Sequence, residues 1–235
     1  MGQLSGIKIA APQYDDIVPS TKTKVKLTPF RVGDEKVLLI ASQSKDTKQM
    51  VVALKNVIKN CVEPIDCNKL APFDLEYLFV KLRALSVGEN TTVGIKCDSC
   101  EDVNRVEIDL SSVKVSENKD HSNIVKISDN LTFEMKYIDL ENIDPNFSAE
   151  DVETVFDLVA RSISKVYYGD DIIEIGEADI KDMKGILNDL SSKQFNIVQE
   201  FFNTAPKLRH NVDFKCKKCE KDNKQTLEGF ASFFT

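Results

Sequence analysis

The chain has little to offer a catalytic mechanism. It has only two histidines, and neither His121, in the polar stretch Ser116 to Ser122, nor His210, beside Lys207-Leu208-Arg209, belongs to a nucleophile or metal motif. There is no Walker loop, no Gly-x-Gly-x-x-Gly and no Gly-x-Ser-x-Gly, which excludes phosphate-cradling nucleotidases, dinucleotide enzymes and hydrolases with a nucleophile elbow. No apolar run approaches the roughly 20 residues of a membrane span. The start, Met1 to Ile9, lacks the apolar core of a secretion signal, and Gly6 stands where a myristoylation motif needs Ser or Thr. There is no low-complexity linker. With a net charge of -7 and a pI near 5.1, the chain as a whole is not built to sit on phosphates.

What remains is a 235-residue chain, 42% hydrophobic and 29% charged, long enough to bury a substantial core and reading as soluble and globular. Its most specific feature is two Cys-x-x-Cys pairs, Cys97-Asp98-Ser99-Cys100 and Cys216-Lys217-Lys218-Cys219, separated by 115 residues. A two-residue spacer lets both sulfurs of a pair reach one ion at about 2.3 Å, so two pairs supply the four ligands of a tetrahedral Zn²⁺. Both pairs fall on turns between strand-like runs, which predicts a zinc ribbon split across the chain. A redox pair would instead sit singly near a helix start, and disulfides would suit an oxidising compartment, for which no secretion signal is found. Four protein sulfurs leave no open position, so Cys97, Cys100, Cys216 and Cys219 read as ligands of structural rather than catalytic zinc. Cys61 and Cys67 read as buried and unliganded.

Along the chain, residues 1–30 are irregular and contain Pro12, Pro19 and Pro29, and read as an extended arm; residues 31–235 read as one domain. Val37-Leu38-Leu39-Ile40 reads as a short buried run. A helix capped near Asp46 or Thr47 is predicted to present Val51, Leu54, Val57, Ile58 and Cys61 on one face, and a second, from near Asp74 to Gly88, presents Leu75, Leu78, Phe79, Leu82 and Leu85. Alternation over Val103 to Leu110 predicts a half-buried strand, and Asp129-Asn130 a hairpin turn. Further helices are expected after Ser148 and Asp151, through Ile180 to Leu190, and from Ser191 to Pro206, with a hairpin through Tyr167 to Ile173. The fold class is therefore α+β, amphipathic helices packed with short antiparallel β-hairpins and stapled by a split four-cysteine zinc ribbon. A chelator is expected to loosen the C-terminal half, because the staple closes a loop holding the later helices.

Longer strings carry a resemblance. Pro29-Phe30-Arg31, Asp34 to Ala41, Phe73 to Phe79, Leu82-Arg83-Ala84 and Ser86 to Glu89 resemble the baseplate hub proteins of T-even-like myophages, as do Phe201 to Leu208, the second cysteine pair and Leu227 to Phe230 with Phe233-Phe234. The resemblance runs from about Pro19 to the C-terminus. It implies a component of the contractile-tail baseplate hub, or a factor that assembles it, binding other hub or tape-measure proteins, made in the host cytoplasm and retained or not in the virion tail. A symmetric hub also makes a homo-oligomer conceivable. No catalytic residues come with the resemblance, and the chain is read as non-enzymatic.

Candidate partner contacts are Arg83, Ser86 and Glu89, polar residues in an apolar motif that equally suit the end of the helix before Gly88, and the terminal Phe230, Phe233 and Phe234, which either cap the chain's own core or enter a partner. Residues 111–122 read as an uninformative surface loop. The alternative function is a zinc-ribbon nucleic-acid-binding regulator using Lys215, Lys217, Lys218, Lys221 and Lys224. Those lysines also relieve the negative charge of a zinc held by four thiolates, and the acidic pI argues against nucleic acid.

Overall fold

Alternating and helical patterns along one chain are realised as six helices and several short antiparallel sheets, an α+β fold, in a computed structural model that describes residues 9–44, 46–139 and 151–233. The chain divides into two compact units. Unit 1 runs up to Cys67, resumes over Asp74–Val113 and again from His210; unit 2 comprises Asn68–Phe73 and Lys114–Arg209. A single domain from residue 31 was expected.

Unit 1 opens with an antiparallel hairpin, β1 (Tyr14–Ile17) and β2 (Lys24–Leu27), where an extended arm was expected. Lys24-Val25-Lys26-Leu27 alternates with period two and buries Val25 and Leu27, a strand signal that the prolines mask. Next, α1 (Val32–Ser44) replaces the predicted short buried run. Five consecutive apolar residues, Val37 to Ala41, carry no period that separates strand from helix, while Asp34 reaches back to accept the Arg31 N–H at 3.0 Å and starts the helix. Only Ala41 of α1 is buried, and Leu39 and Ile40 are 58% and 56% exposed.

In α2 (Thr47–Cys61), Asp46 caps by accepting the Lys48 N–H at 2.9 Å, and Leu54, Val57, Ile58 and Cys61 are buried as the spacing predicts. β3 (Val62–Glu63) then pairs with β2. Helix α3 (Pro72–Ser86) starts on proline, whose missing N–H costs nothing at a first helical position, and buries Leu75, Leu78, Phe79 and Leu82. It ends before Gly88, whose φ of 143° favours glycine. A seven-residue ladder joins β4 (Asn90–Lys96) to β5 (Val103–Asp109), from Asn90↔Asp109 to Lys96↔Val103.

Unit 2 contains β6 (Lys114–Ser116), β7 (Ile124–Lys126), β8 (Leu131–Met135), α4 (Val152–Arg161), β9 (Ile163–Tyr168), β10 (Asp171–Glu174), α5 (Ile180–Asp189) and α6 (Ser192–Thr204). Four strands form an antiparallel sheet in the order β10-β9-β8-β7. Phe133, Met135, Val159, Ile163, Val166, Met183, Leu187, Val198 and Phe201 belong to one buried cluster, so this unit has its own core. Asp151 caps α4, Ser191 and Gln194 form a capping box on α6, and Ser148 lies outside the described residues. Finally β11 (Lys207–Lys215) pairs through Lys207–Arg209 with β6, and returns the chain to unit 1 beside β12 (Asp222–Glu228).

The stretch read as an uninformative loop contributes a half-buried network instead. Thr204 Oγ donates to the Glu200 carbonyl at 2.6 Å, so it accepts from His121 Nδ1–H at 3.0 Å, which leaves Nε2 to accept the Tyr137 hydroxyl at 2.9 Å. The imidazole stacks on Tyr137 with centroids 5.7 Å apart and lies 4.9 Å from Phe201. Burial holds its pKa below the ordinary 6.5, which favours the neutral imidazole.

Candidate metal centre

The first cysteine pair sits on the turn from β4 to β5 and the second on the turn from β11 to β12, all within unit 1. Each turn is the same object. Cys97 N–H donates to the Asp102 carbonyl at 2.9 Å and Glu101 N–H to the Cys97 carbonyl at 2.9 Å; the matching bonds, Cys216 to Lys221 and Glu220 to Cys216, measure 2.9 and 3.0 Å. The residue after each second cysteine adopts a left-handed φ, 57° at Glu101 and 58° at Glu220. That conformation turns each hairpin tightly enough for both its thiols to face inward.

The two turns face each other. Cys97 and Cys219 Sγ are 3.6 Å apart, as are Cys100 and Cys216, and all four sulfurs lie within 4.8 Å of one another. Four thiolates about 2.3 Å from a central zinc in a tetrahedron stand about 3.8 Å apart, so the sulfurs fit a tetrahedral metal with little movement. None of the six cysteines is in a disulfide. Cys97 and Cys216 are buried and Cys100 and Cys219 partly so.

The protein already favours thiolate at two positions. Cys216 falls to about 6, first through the Cys219 backbone N–H, with the Lys218 N–H and the Asn104 amide assisting. Cys97 is lowered too, led by the Ser99 N–H, which lies 3.4 Å from its sulfur. Cys100 behaves oppositely: the Asp102 amide favours its thiolate, but burial and the three neighbouring sulfurs push it up to about 12. A divalent ion would relieve that thiol by replacing its proton.

Behind the sulfurs stand two residues that sequence reasoning missed. Asn104 accepts the Lys217 N–H at 2.8 Å and donates to the Asp102 carbonyl at 3.0 Å; Asn223 accepts the Asp98 N–H at 3.0 Å and donates to the Lys221 carbonyl at 2.9 Å. Each asparagine thus clamps its own turn to the opposite one. Asn104 is 3% exposed and Asn223 4%, and Asn104 alone donates further to Cys216 Sγ, at 3.5 Å. The signal was present in the chain: Cys-x-x-Cys-Glu-x-x-Asn occurs at Cys97 to Asn104 and again at Cys216 to Asn223. Of the surrounding lysines, Lys218 reaches Asp102 of the opposite turn at 3.7 Å and Lys224 reaches Asp213 at 4.0 Å.

Cys61 and Cys67 take no part in the cluster. Burial raises the Cys61 thiol to about 11 and raises Cys67 as well, and Cys67 Sγ lies 3.7 Å from the Lys55 carbonyl. The candidate partner residues scatter. Ser86 Oγ donates to the Leu82 carbonyl at 2.6 Å and accepts the Phe30 N–H at 2.9 Å, an internal tie rather than a free contact. Arg83 is partly buried, with Nη1 lacking a hydrogen-bond partner among the described residues, and Glu89 is exposed. Phe233 is fully buried, in a 3-10 turn packed beside β4 and β12, which removes it from the exposed surface. The Phe230 side chain and Phe234 lie outside the described residues.

No helix among the described residues is long and apolar enough to cross a membrane. A family model described as T4 bacteriophage base plate protein matches residues 11–235. No curated protein and no solved structure matches the chain.

Proposed function

The chain belongs to the T4 bacteriophage base plate protein family, and from that premise we propose that it serves the central hub of a contractile-tail baseplate, as a hub subunit or as the factor that assembles it, by binding other tail proteins and not by catalysis. The observation that carries the binding role is α1. A run of five consecutive apolar residues such as Val37 to Ala41 ordinarily belongs in a core, yet this helix buries only Ala41 and leaves Val32, Val37, Leu39 and Ile40 exposed. Such a face is stable in water only at a cost that a protein partner would remove; hub or tape-measure proteins are the partners this role supplies.

Within that role the four cysteines hold one structural Zn²⁺. Their soft thiolate donors, near-tetrahedral spacing and lack of an open position fit zinc in a closed site. Zinc there joins two stretches of unit 1 between which the chain leaves to build unit 2, and closing the 115 residues between the two pairs removes about 4–5 kcal/mol of unfolded-state entropy. The nucleic-acid reading is disfavoured because two of its five lysines already face carboxylates.

Quantitative mass spectrometry of gradient-purified virions beside infected-cell lysate tests the role. A fixed ratio to a known tail component in virions makes the protein a hub subunit, and abundance in lysate with absence from virions makes it an assembly factor. Absence of association with any tail intermediate in the lysate, together with absence from virions, contradicts both.

A further inference from the structure

One edge of the unit 2 sheet stands open among the described residues. β10 pairs only with β9, all four of its residues are exposed, and Ile172 and Ile173 are 65% and 50% exposed. Exposed edge strands invite another strand, and proteins ordinarily cover or charge them for that reason.

The register says which groups are on offer. Ile175 N–H donates to the Ser164 carbonyl at 2.9 Å, and bonded pairs alternate along an antiparallel ladder. With Ile173 opposite Val166 and Asp171 opposite Tyr168, those residues spend their backbone groups on β9. Ile172 and Glu174 therefore turn N–H and C=O outward. The side chains are equally poised: Val125, Phe133, Val166 and Ile173 form one row across the sheet, the first three buried and the fourth half exposed. An aliphatic side chain on a fifth strand would lie beside Ile173 and complete the row.

Charge selects the occupant. Asp170, Asp171 and Glu174 are exposed and have no ion-pair partner among the described residues. Lys165, opposite Glu174, reaches Glu134 at 3.7 Å, and the next acid, Glu177, is already held by Arg161 at 2.6 Å. A second copy paired edge to edge would set three carboxylates against the same three, in a chain of net charge -7. The opposite edge, β7, offers only Lys126, which already faces Asp129 at 3.0 Å. We propose that the β10 edge is a strand-addition site for an extended segment of a different polypeptide, one carrying an aliphatic residue beside Ile173 flanked by lysine or arginine. This stands on the sheet edge alone and holds whether the protein stays in the virion or leaves it.

The test is residue-resolved amide exchange on the full chain with two synthetic peptides, Lys-Thr-Val-Thr-Val-Thr-Lys and its counterpart with glutamate at both ends. The basic peptide is expected to slow exchange at Ile172 and Glu174 about fivefold when free peptide is about four times Kd, the mass-action factor for a covered amide. The acidic peptide leaves both unchanged, and the double variant Asp171→Lys, Glu174→Lys exchanges the preference. Protection by neither peptide, or equally by both, overturns the proposal. Protection that rises with protein concentration alone, with a dimer in sedimentation, overturns it in favour of a second copy.

Discussion

Removing the Asn104 side chain isolates what lies behind the sulfurs. Asn104→Ala deletes the acceptor of the Lys217 N–H, a donor to the Asp102 carbonyl and the donor to Cys216 Sγ. The Asp102 carbonyl keeps the Cys97 N–H, so the one backbone group left without a partner is the buried Lys217 N–H, at a cost of about 1–3 kcal/mol, taken here as about 2 kcal/mol. Loss of a hydrogen bond behind a ligand typically weakens metal binding 10- to 100-fold, about 1.4–2.7 kcal/mol more. Asn223→Ala deletes the equivalent two backbone bonds but no bond to sulfur, and so supplies the internal control. The expectation is that both variants lose about 2 kcal/mol in urea unfolding. Asn104→Ala should in addition bind zinc at least about tenfold more weakly than Asn223→Ala in competition with a chromophoric chelator. Equal zinc affinity in the two variants, or unfolding midpoints unchanged from wild type, would refute this account of the clamp.

Other outcomes follow from the same structure. Chelation should raise amide exchange over residues 90–109 and 210–228 of unit 1 while the β7 to β10 sheet and α4 to α6 keep their protection, because unit 2 has its own core; mass-resolved exchange with and without EDTA reads this directly. Burial lowers the His121 pKa below the unfolded 6.5, so the unfolded state takes up the proton first. Unit 2 stability should therefore be fully present above that value and fall as pH drops through it, and His121→Gln should flatten that slope in pH-dependent urea melts. Gly88→Ala should cost about 1–3 kcal/mol from backbone strain alone, since a Cβ there meets nothing within 4 Å. Gly33→Ala, equally open but helical in α1, should stabilise by about 0.4–1 kcal/mol, and thermal melts of the pair separate conformation from packing.

Local chemistry was legible wherever neighbours along the chain decide it. The caps at Asp46 and Ser191, the buried faces of α2, α3, α5 and α6 and the alternation of β5 all follow from spacing, and the two Cys-x-x-Cys turns predicted a four-sulfur cluster that the fold assembles. Three features were not legible for physical reasons. The apolar run in α1 has no period, so its exposure depends on what the rest of unit 1 leaves uncovered. His121 lies in a polar stretch, and only the later residues Tyr137, Phe201 and Thr204 make it part of a half-buried network. The division into two units depends on which segments share a core, so the staple, expected to hold the C-terminal half, instead joins two stretches of unit 1 around an inserted unit. Asn104 and Asn223 were the readable exception, since the repeated Cys-x-x-Cys-Glu-x-x-Asn pattern marks them in the sequence itself.

The most direct test of the zinc staple is the metal content of the purified full chain by inductively coupled plasma mass spectrometry, with free thiols counted on the same sample. One zinc per chain, with Cys97, Cys100, Cys216 and Cys219 protected from thiol reagent in the native protein and reactive once EDTA is added, is the predicted result. Metal-free protein whose four ribbon thiols react freely while unit 1 stays folded would contradict it.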